Sequence, residues 1–248
     1  YNAACEPNIS QLCIFLKKMG VEIEGIGTNF LKIKGNKELK KADHEILPDI
    51  LEVGSFIALS CVCESKLNIE KVCTKNLFPV LNFCKKLGIF FEIKDDNLIL
   101  DSKKNFLEEN ISINNSNLIE LSDGPWPNFP PDLISSFLVA SIFSNKKVII
   151  HQKMYESRLF FVDNLISMGA EIILCDPHRV VVMGSKNKKL YSTNISSPDI
   201  RAGISLMSAA IAAQGNSKIF NIEQIYRGYE NIEEKLKKIG VDIKLCEN

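Results

Sequence analysis

Four segments of the chain share one pattern, in which an amphipathic stretch ends in an apolar residue and a glycine and then continues as alternating strand residues. They are residues 15–23, 83–91, 165–172 and 236–243. A glycine at this place is typical of the left-handed residue that closes a helix before the chain turns into a strand. Because one such unit cannot bury its apolar face alone, the repeats are expected to stack on one another.

A second pattern alternates with the first. Pro48-Asp49, Pro131-Asp132 and Pro198-Asp199 each precede a long apolar segment, which predicts a helix followed by a strand. An Asp in the opening turn suits the positive end of a helix. The full unit is predicted as helix, strand, helix, glycine, strand, turn, strand. Repetition of this unit predicts an α/β or α+β fold with pseudo-three-fold symmetry.

The repeat also predicts where the units begin and end. Residues 1–47 hold the back half of one unit, and residues 48–130 and 131–197 hold two complete units. The last unit stops after a predicted strand at 241–245, which has no partner to complete its hairpin. Since the chain begins at Tyr1, inside a patterned segment, we expect it to be a piece of a longer protein.

Composition excludes several classes of protein. Thirty basic and thirty acidic residues among 248 cancel, so the chain has no overall field for binding nucleic acid. The apolar runs at 57–63 and 137–143 are far shorter than the roughly 18 residues of a membrane span. The eight cysteines contain no CxxC pair and lie mostly in apolar runs. This pattern predicts buried thiols in a reducing cytoplasm, without disulfides or a zinc site.

The chain has only four arginines, at positions 158, 179, 201 and 227, among many lysines. Arginine is needed where a planar fork must hold a carboxylate or phosphate through two parallel hydrogen bonds. Arg158 and Arg227 follow strands in equivalent places of consecutive units, and Arg201 lies in the first turn of a predicted helix. These three predict a cluster that binds phosphate and carboxylate together, whereas Arg179 is predicted to lie on a solvated hairpin.

Asp132 is the best candidate for a general base. It follows Asp123-Gly-Pro-Trp-Pro-Asn-Phe-Pro-Pro131, a stretch with four prolines and the single Trp of the chain. Such a stiff approach can hold one carboxylate at a loop-to-helix junction, as a general base requires. Asp49, at the equivalent place, is predicted to be an ordinary helix cap.

Six motifs occur in an order and spacing that resemble the enolpyruvyl transferase family, in particular the branch that acts on UDP-N-acetylglucosamine. The resemblance runs along the whole chain and implies that family's inside-out α/β barrel. It further implies that 1–48 are the tail of the domain with the catalytic loop and that 49–248 are most of the second domain. The motifs are Asn2-Ala-Ala-Cys-Glu-Pro7, Leu47-Pro-Asp-Ile-Leu-Glu-Val-Gly-Ser-Phe56, Pro125-Trp-Pro-Asn-Phe-Pro-Pro-Asp132, Tyr155-Glu-Ser-Arg158, Ser197-Pro-Asp-Ile-Arg-Ala202 and Arg227-Gly-Tyr-Glu230.

The resemblance also implies roles for individual residues. Asp132 matches the carboxylate at the sugar hydroxyl, and Met154 falls where the family contacts the UDP-sugar. The residues that match the phosphoenolpyruvate and phosphate site are Arg158, Asp199, Arg201 and Arg227. The implied substrates are UDP-N-acetylglucosamine and phosphoenolpyruvate, with no metal and no cofactor.

Two positions depart from the family pattern. Tyr226 stands where members usually have Asp, which weakens the expected support of Arg227, and Pro131 stands where many have Thr. The family's Lys-Asn pair and its acid-bearing loop would lie upstream of Tyr1, so we expect this chain alone to catalyse nothing. Two alternatives stay open: the sister enzyme that acts on shikimate 3-phosphate, and a non-catalytic remnant that binds a nucleotide sugar.

Overall fold

The computed structural model describes residues 1–36, 38–104, 118–156, 158–185 and 187–246. Helices are interspersed with short strands along these residues. The helices are α1 (Pro7–Lys18), α2 (Ile50–Val62), α3 (Phe78–Leu87), α4 (Ile134–Ile142), α5 (Val162–Ser167), α6 (Ile200–Ala212), α7 (Glu223–Tyr226) and α8 (Ile232–Lys238). The strands are β1 (Glu22–Glu24), β2 (Lys32–Lys34), β3 (Lys66–Ile69), β4 (Phe91–Lys94), β5 (Asn97–Asp101), β6 (Leu118–Ser122), β7 (Lys147–His151), β8 (Ile172–Asp176), β9 (Arg179–Met183), β10 (Asn194–Ser196) and β11 (Lys218–Phe220).

The three helices that follow the Pro-Asp pairs form the centre of the molecule. Helices α2, α4 and α6 pack against one another in all three pairings. Every residue of α4 is buried, including its serines, and α2 and α6 are buried along most of their length. A helix that is apolar on all sides must be covered on all sides, and the repeated pattern supplies the cover.

Small sheets surround these helices. Strands β3, β5 and β4 form an antiparallel sheet in that order. The next unit has a four-stranded sheet of order β6-β7-β9-β8, in which β6 and β7 are parallel and the other pairs are antiparallel. Strands β1 and β2 form an antiparallel pair, and β10 and β11 form a parallel pair.

The glycine pattern identified the helix ends correctly. Gly20, Gly88, Gly169 and Gly240 all have φ between 84° and 101°, in the left-handed region. Gly88 is the C-cap of α3, and its N–H donates to the carbonyl groups of Cys84 and Lys85. A residue with a Cβ would be strained there, so the glycine decides where the helix stops.

The predicted unit lacked one strand. Strands β6 and β10 were not predicted, and each runs parallel to the strand that follows the next helix. The unit is therefore strand, helix, strand, helix, strand, strand. The prediction of a strand at 241–245 was wrong, because this segment forms no strand in the structure. A strand requires a hydrogen-bonded neighbour, and the part of the chain that the structure describes offers none at this place.

The prediction of buried cysteines is only partly correct. All eight are free thiols, but Cys175 and Cys246 are exposed, and only Cys13, Cys61 and Cys84 are fully buried. Cys175 lies on the edge strand β8, whose outer residues are not covered by another layer. Within the described ranges, no helix has the length and apolar character needed to cross a membrane.

Candidate functional site

The loop before Asp132 is anchored in the core at several points. Phe129 is buried and meets the rings of Phe83 and Phe137 edge-on, with centroids 5.6 and 5.3 Å away. Leu133 is fully buried against Gly54 of α2, where a Cβ would come within 2.4 Å of its side chain. Because the residues on both sides of Asp132 are fixed, its carboxylate has a defined position at the start of α4.

Asp132 forms ion pairs with two arginines. Arg158 Nη1 lies 2.6 Å from Asp132 Oδ1, and Arg201 Nη2 lies 3.1 Å from Asp132 Oδ2. The three side chains are between 17% and 28% exposed, so the cluster lies at the edge of the interior. A carboxylate has about four lone-pair sites, so Asp132 can still accept a hydrogen bond from a substrate hydroxyl.

Each arginine has a second support. The guanidinium of Arg158 lies over the ring of Tyr155, 4.2 Å from its centroid. Arg201 Nη1 donates to the Tyr229 hydroxyl at 3.5 Å, and the Tyr229 hydroxyl lies 2.7 Å from Ser55 Oγ. Burial raises the pKa of the Tyr229 phenol, while its contacts with Ser55 and Arg201 act in the opposite direction. Two cations beside one carboxylate leave a net positive charge, which can attract an anion.

Asp199 and Asp49 have a different role from Asp132 in the structure. Asp199 is the N-cap of α6, and its Oδ1 accepts from the N–H groups of Arg201 and Ala202 at 2.7 and 2.9 Å. Asp49 is the N-cap of α2 and accepts from Leu51 N–H at 2.8 Å, as predicted. Asp199 therefore holds the turn that carries Arg201.

Arg227 does not share the contacts of the other two predicted arginines. It is exposed, and its Nη1 donates to Gln224 Oε1 at 3.1 Å. Tyr226, in the position that departs from the family, donates to Glu233. Burial, together with this hydrogen bond, raises the pKa of Tyr226 to about 12. The structure thus brings Arg158 and Arg201 together on Asp132, but Arg227 takes no part in those ion pairs.

Met154 lies in the segment after β7 and is held there by Asp123. Asp123 is 3% exposed and accepts from the Gln152 side chain and from the backbone N–H groups of Lys153 and Met154. The Met154 side chain itself is 43% exposed. Sequence reasoning did not select Asp123, although an Asp directly after a strand and before Gly-Pro is a signal for such a loop clamp.

Arg179 confirms the prediction of a solvated hairpin. It pairs with Asp176, 2.6 Å away, across the turn between β8 and β9, and its side chain is 52% exposed. The Arg179 hydrogen bond lowers the pKa of the Asp176 carboxyl. An exposed pair of this kind contributes little to stability.

A cleft of about 680 Å³ opens beside Asp132. Its walls come from the start of α1, from the segment before α2 and from the Pro-rich loop, and they include Pro7, Leu47, Trp126 and Tyr155. The lining is mostly apolar, with three acidic residues, Glu6, Asp49 and Asp132, of which Asp132 is the one paired with Arg158 and Arg201. Mostly apolar walls with a few polar groups are typical of a small-molecule site.

The family model for EPSP synthase (3-phosphoshikimate 1-carboxyvinyltransferase) matches residues 1–236 of the chain. The chain belongs to the enolpyruvyl transferase family. It is 48% identical over 244 residues to UDP-N-acetylglucosamine 1-carboxyvinyltransferase of Bacteroides fragilis, and 44% identical over 246 residues to the protein of that name from Treponema denticola. These matches cover 98% and 99% of the chain but only 56% and 57% of the relatives.

Solved structures of enolpyruvyl transferases agree with this fold. The enolpyruvyl transferase NikO from Streptomyces tendae matches 98% of the chain with a TM-score of 0.83 at 21% identity, and the match covers 55% of that protein. EPSP synthase from Acinetobacter baumannii matches 94% of the chain with a TM-score of 0.68 at 15% identity, over 54% of its own length. At these identities the likeness establishes the fold alone, which confirms the expected class.

Proposed function

We propose that the protein to which this chain belongs transfers the enolpyruvyl group of phosphoenolpyruvate to the 3-hydroxyl of UDP-N-acetylglucosamine and releases phosphate, in the first committed step of peptidoglycan synthesis. The observation that carries this proposal is Asp132, held between Arg158 and Arg201 at the mouth of a cleft. The 48% identity to a relative of that named activity supports the nucleotide sugar as acceptor.

In the proposed reaction, the sugar hydroxyl binds beside Asp132, which removes its proton as the oxygen attacks the central carbon of phosphoenolpyruvate. An acid protonates the methylene carbon. Loss of the proton from that carbon then re-forms the double bond as phosphate leaves. Arg158 and Arg201 stabilise the negative charge of the substrate carboxylate and of the departing phosphate. By family resemblance the acid lies in the part of the relatives that this chain does not cover.

Met154, Asp199 and Arg227 complete the proposed site. Met154 is exposed on the segment that Asp123 fixes, where it can contact the nucleotide sugar. Asp199 acts through the turn of Arg201. Arg227 is exposed and donates to the neutral amide oxygen of Gln224, so its guanidinium can turn toward an incoming phosphate. No metal or cofactor is required by this chemistry.

The finer architecture is part of the same proposal. Residues 1–48 are the tail of the domain with the catalytic loop, and residues 49–248 are most of the second domain. The pairwise packing of α2, α4 and α6 inside outer sheets supports an inside-out barrel with pseudo-three-fold symmetry.

A second candidate, a nucleotide-sugar-binding protein without turnover, is favoured by one observation. Tyr226 donates to Glu233, and Arg227, an expected phosphate ligand, is paired with the neutral amide of Gln224 rather than with a carboxylate among the described residues. A third, transfer to shikimate 3-phosphate, has the name of the matching family model in its favour. The relatives at 48% identity weigh more heavily and favour the UDP-sugar.

The test is an assay of phosphate release by the full-length protein, purified from a host strain that lacks interfering activity. With phosphoenolpyruvate, UDP-N-acetylglucosamine should support turnover, and shikimate 3-phosphate should not. The reverse preference would assign the protein to the sister reaction. Calorimetric binding of the UDP-sugar with no turnover would support the non-catalytic candidate instead.

A further inference from the structure

A chain of buried hydroxyl groups crosses the centre of the three-helix core. Helices α2, α4 and α6 each contribute one serine: Ser55, Ser136 and Ser205, with exposures of 3%, 3% and 0%. Ser136 Oγ lies 3.4 Å from Ser55 Oγ and 3.2 Å from Ser205 Oγ. The hydroxyl of Tyr229, a residue 1% exposed, joins this group at Ser55. Polar side chains are rare at such depth, so their partners need to be accounted for.

The donors and acceptors fix the direction of each hydrogen bond around Tyr229. A guanidinium can only donate, so the Tyr229 oxygen accepts from Arg201 Nη1 at 3.5 Å. Ser55 has a single proton, which it donates to the Leu51 carbonyl at 2.9 Å. Ser55 therefore accepts from Tyr229 at 2.7 Å. The series runs from Arg201 through Tyr229 and Ser55 to a helix carbonyl, and every member is satisfied.

Ser205 and Ser136 are linked to the backbone carbonyl of Arg201. Ser205 donates to the Arg201 carbonyl at 2.7 Å, so its oxygen accepts from Ser136. The Arg201 N–H donates to Asp199. The side chain of Arg201 reaches Asp132 with one nitrogen and Tyr229 with the other. Arg201 is thus held at its backbone and at both ends of its guanidinium.

We infer that Tyr229, oriented by Ser55, is a positioning residue that fixes Arg201 against Asp132 for binding of the phosphate group. This inference rests on the proposed function, because it assigns Arg201 to that group. Among the described residues, the second support of Arg158 is the half-exposed ring of Tyr155 rather than a buried hydroxyl. Arg201 is therefore held in place by buried residues of the core, whereas Arg158 can move with the ligand.

Tyr229→Phe tests the inference in the full-length enzyme, because it removes one hydroxyl and keeps the buried ring. Loss of one hydrogen bond to a charged group should lower kcat/KM for phosphoenolpyruvate about tenfold and weaken binding of inorganic phosphate by a similar factor. The KM for UDP-N-acetylglucosamine should change less than about twofold, because the proposal assigns Arg201 to the phosphate and carboxylate groups and Asp132 keeps its ion pair with Arg158.

Ser55→Ala supplies a second variant, since it leaves the ring and the phenol in place but removes the acceptor that orients the phenol. Its effect should be in the same direction, and the double variant should be no worse than Tyr229→Phe alone. Ser141→Ala is the matched control. Ser141 is a fully buried serine of α4 that donates to the Phe137 carbonyl at 2.7 Å, the same bond type without a link to Arg201. It should lower the melting temperature while leaving both phosphate readouts unchanged.

The outcomes separate the inference from the proposed function. An active enzyme in which Tyr229→Phe and Ser55→Ala keep wild-type phosphate binding and kcat/KM would overturn the inference alone. A phosphate-binding loss in Ser141→Ala equal to that in Tyr229→Phe would also overturn it, because general destabilisation would then explain both. If the wild-type protein has no turnover, the proposed function fails, and the phosphate-binding comparison still decides the role of Tyr229.

Discussion

The starts of α4 and α6 occupy equivalent places in two repeats, yet their aspartates have different roles. At α6, Asp199 caps the helix, because its Oδ1 accepts from two backbone N–H groups. At α4, a 3-10 turn over Pro131–Leu133 precedes the helix, and Asp132 makes no capping bond. Its two oxygens remain available for Arg158 and Arg201. A different approach to the helix thus leaves the Asp132 carboxylate available to other groups, whereas Asp199 caps its helix.

The sharpest test of this difference is Asp132→Asn in the full-length enzyme. The amide keeps the shape but cannot accept the proton of the sugar hydroxyl, so kcat should fall at least ~100-fold. The melting temperature should stay close to that of the wild type, because Asp132 caps no helix. Steady-state kinetics and thermal unfolding measure both quantities, and near wild-type turnover would remove Asp132 from the mechanism.

Arg158→Lys tests the cation side of the same site. Lysine keeps the charge but loses the planar fork and its stacking on Tyr155, so kcat/KM for phosphoenolpyruvate should fall roughly tenfold. Arg179→Lys is the matched control, since Arg179 also pairs with an aspartate but on an exposed hairpin. Equal losses in the two variants would contradict the assignment of Arg158 to the site.

Asp49→Ala measures the ordinary role of this position in the repeat. Loss of an N-cap should lower the free energy of unfolding by about 1 kcal/mol. Activity per folded molecule should fall far less than with Asp132→Asn. Urea unfolding at neutral pH gives the first quantity, and Asp49→Asn, which retains a capping oxygen, should recover most of the loss. An unchanged free energy of unfolding in Asp49→Ala would mean that the cap does not stabilise the protein.

Much of the fold could be predicted from the sequence, because glycines and Pro-Asp pairs act locally. Gly88 and Gly169 end their helices through a backbone conformation that few other residues adopt, so the prediction needs no knowledge of the partner elements. Strands β6 and β10 were missed, because a parallel strand depends on a neighbour distant in the chain. The same dependence explains the false strand at 241–245.

The candidate site shows a similar limit. The scarcity of arginine and the prolines before Asp132 pointed to the residues that meet in the structure. Composition could not show that Arg227 donates to Gln224, because that depends on where Tyr226 finds an acceptor. Nor could it find Tyr229 and Ser55, which are 174 positions apart and meet only when the segment between α7 and α8 packs against α2.

The smallest expected effect is on the pH dependence of stability and comes from Cys63, at the C-terminal end of α2. Cys63 is the C-cap of α2, and burial raises the pKa of its thiol to about 11. In the unfolded chain the thiol ionises near pH 9, so between pH 9 and pH 11 the unfolded state loses its proton first. The contribution of Cys63 to stability is therefore complete below pH 9 and declines as the pH rises through 11.

In Cys63→Ala, the free energy of unfolding should decrease less between pH 9 and pH 11 than in the wild type, by up to about 1 kcal/mol. Urea unfolding at each pH measures this difference. Cys175→Ala, which changes an exposed thiol, should leave the profile unchanged, and identical profiles for the two variants would show that burial does not govern the Cys63 thiol.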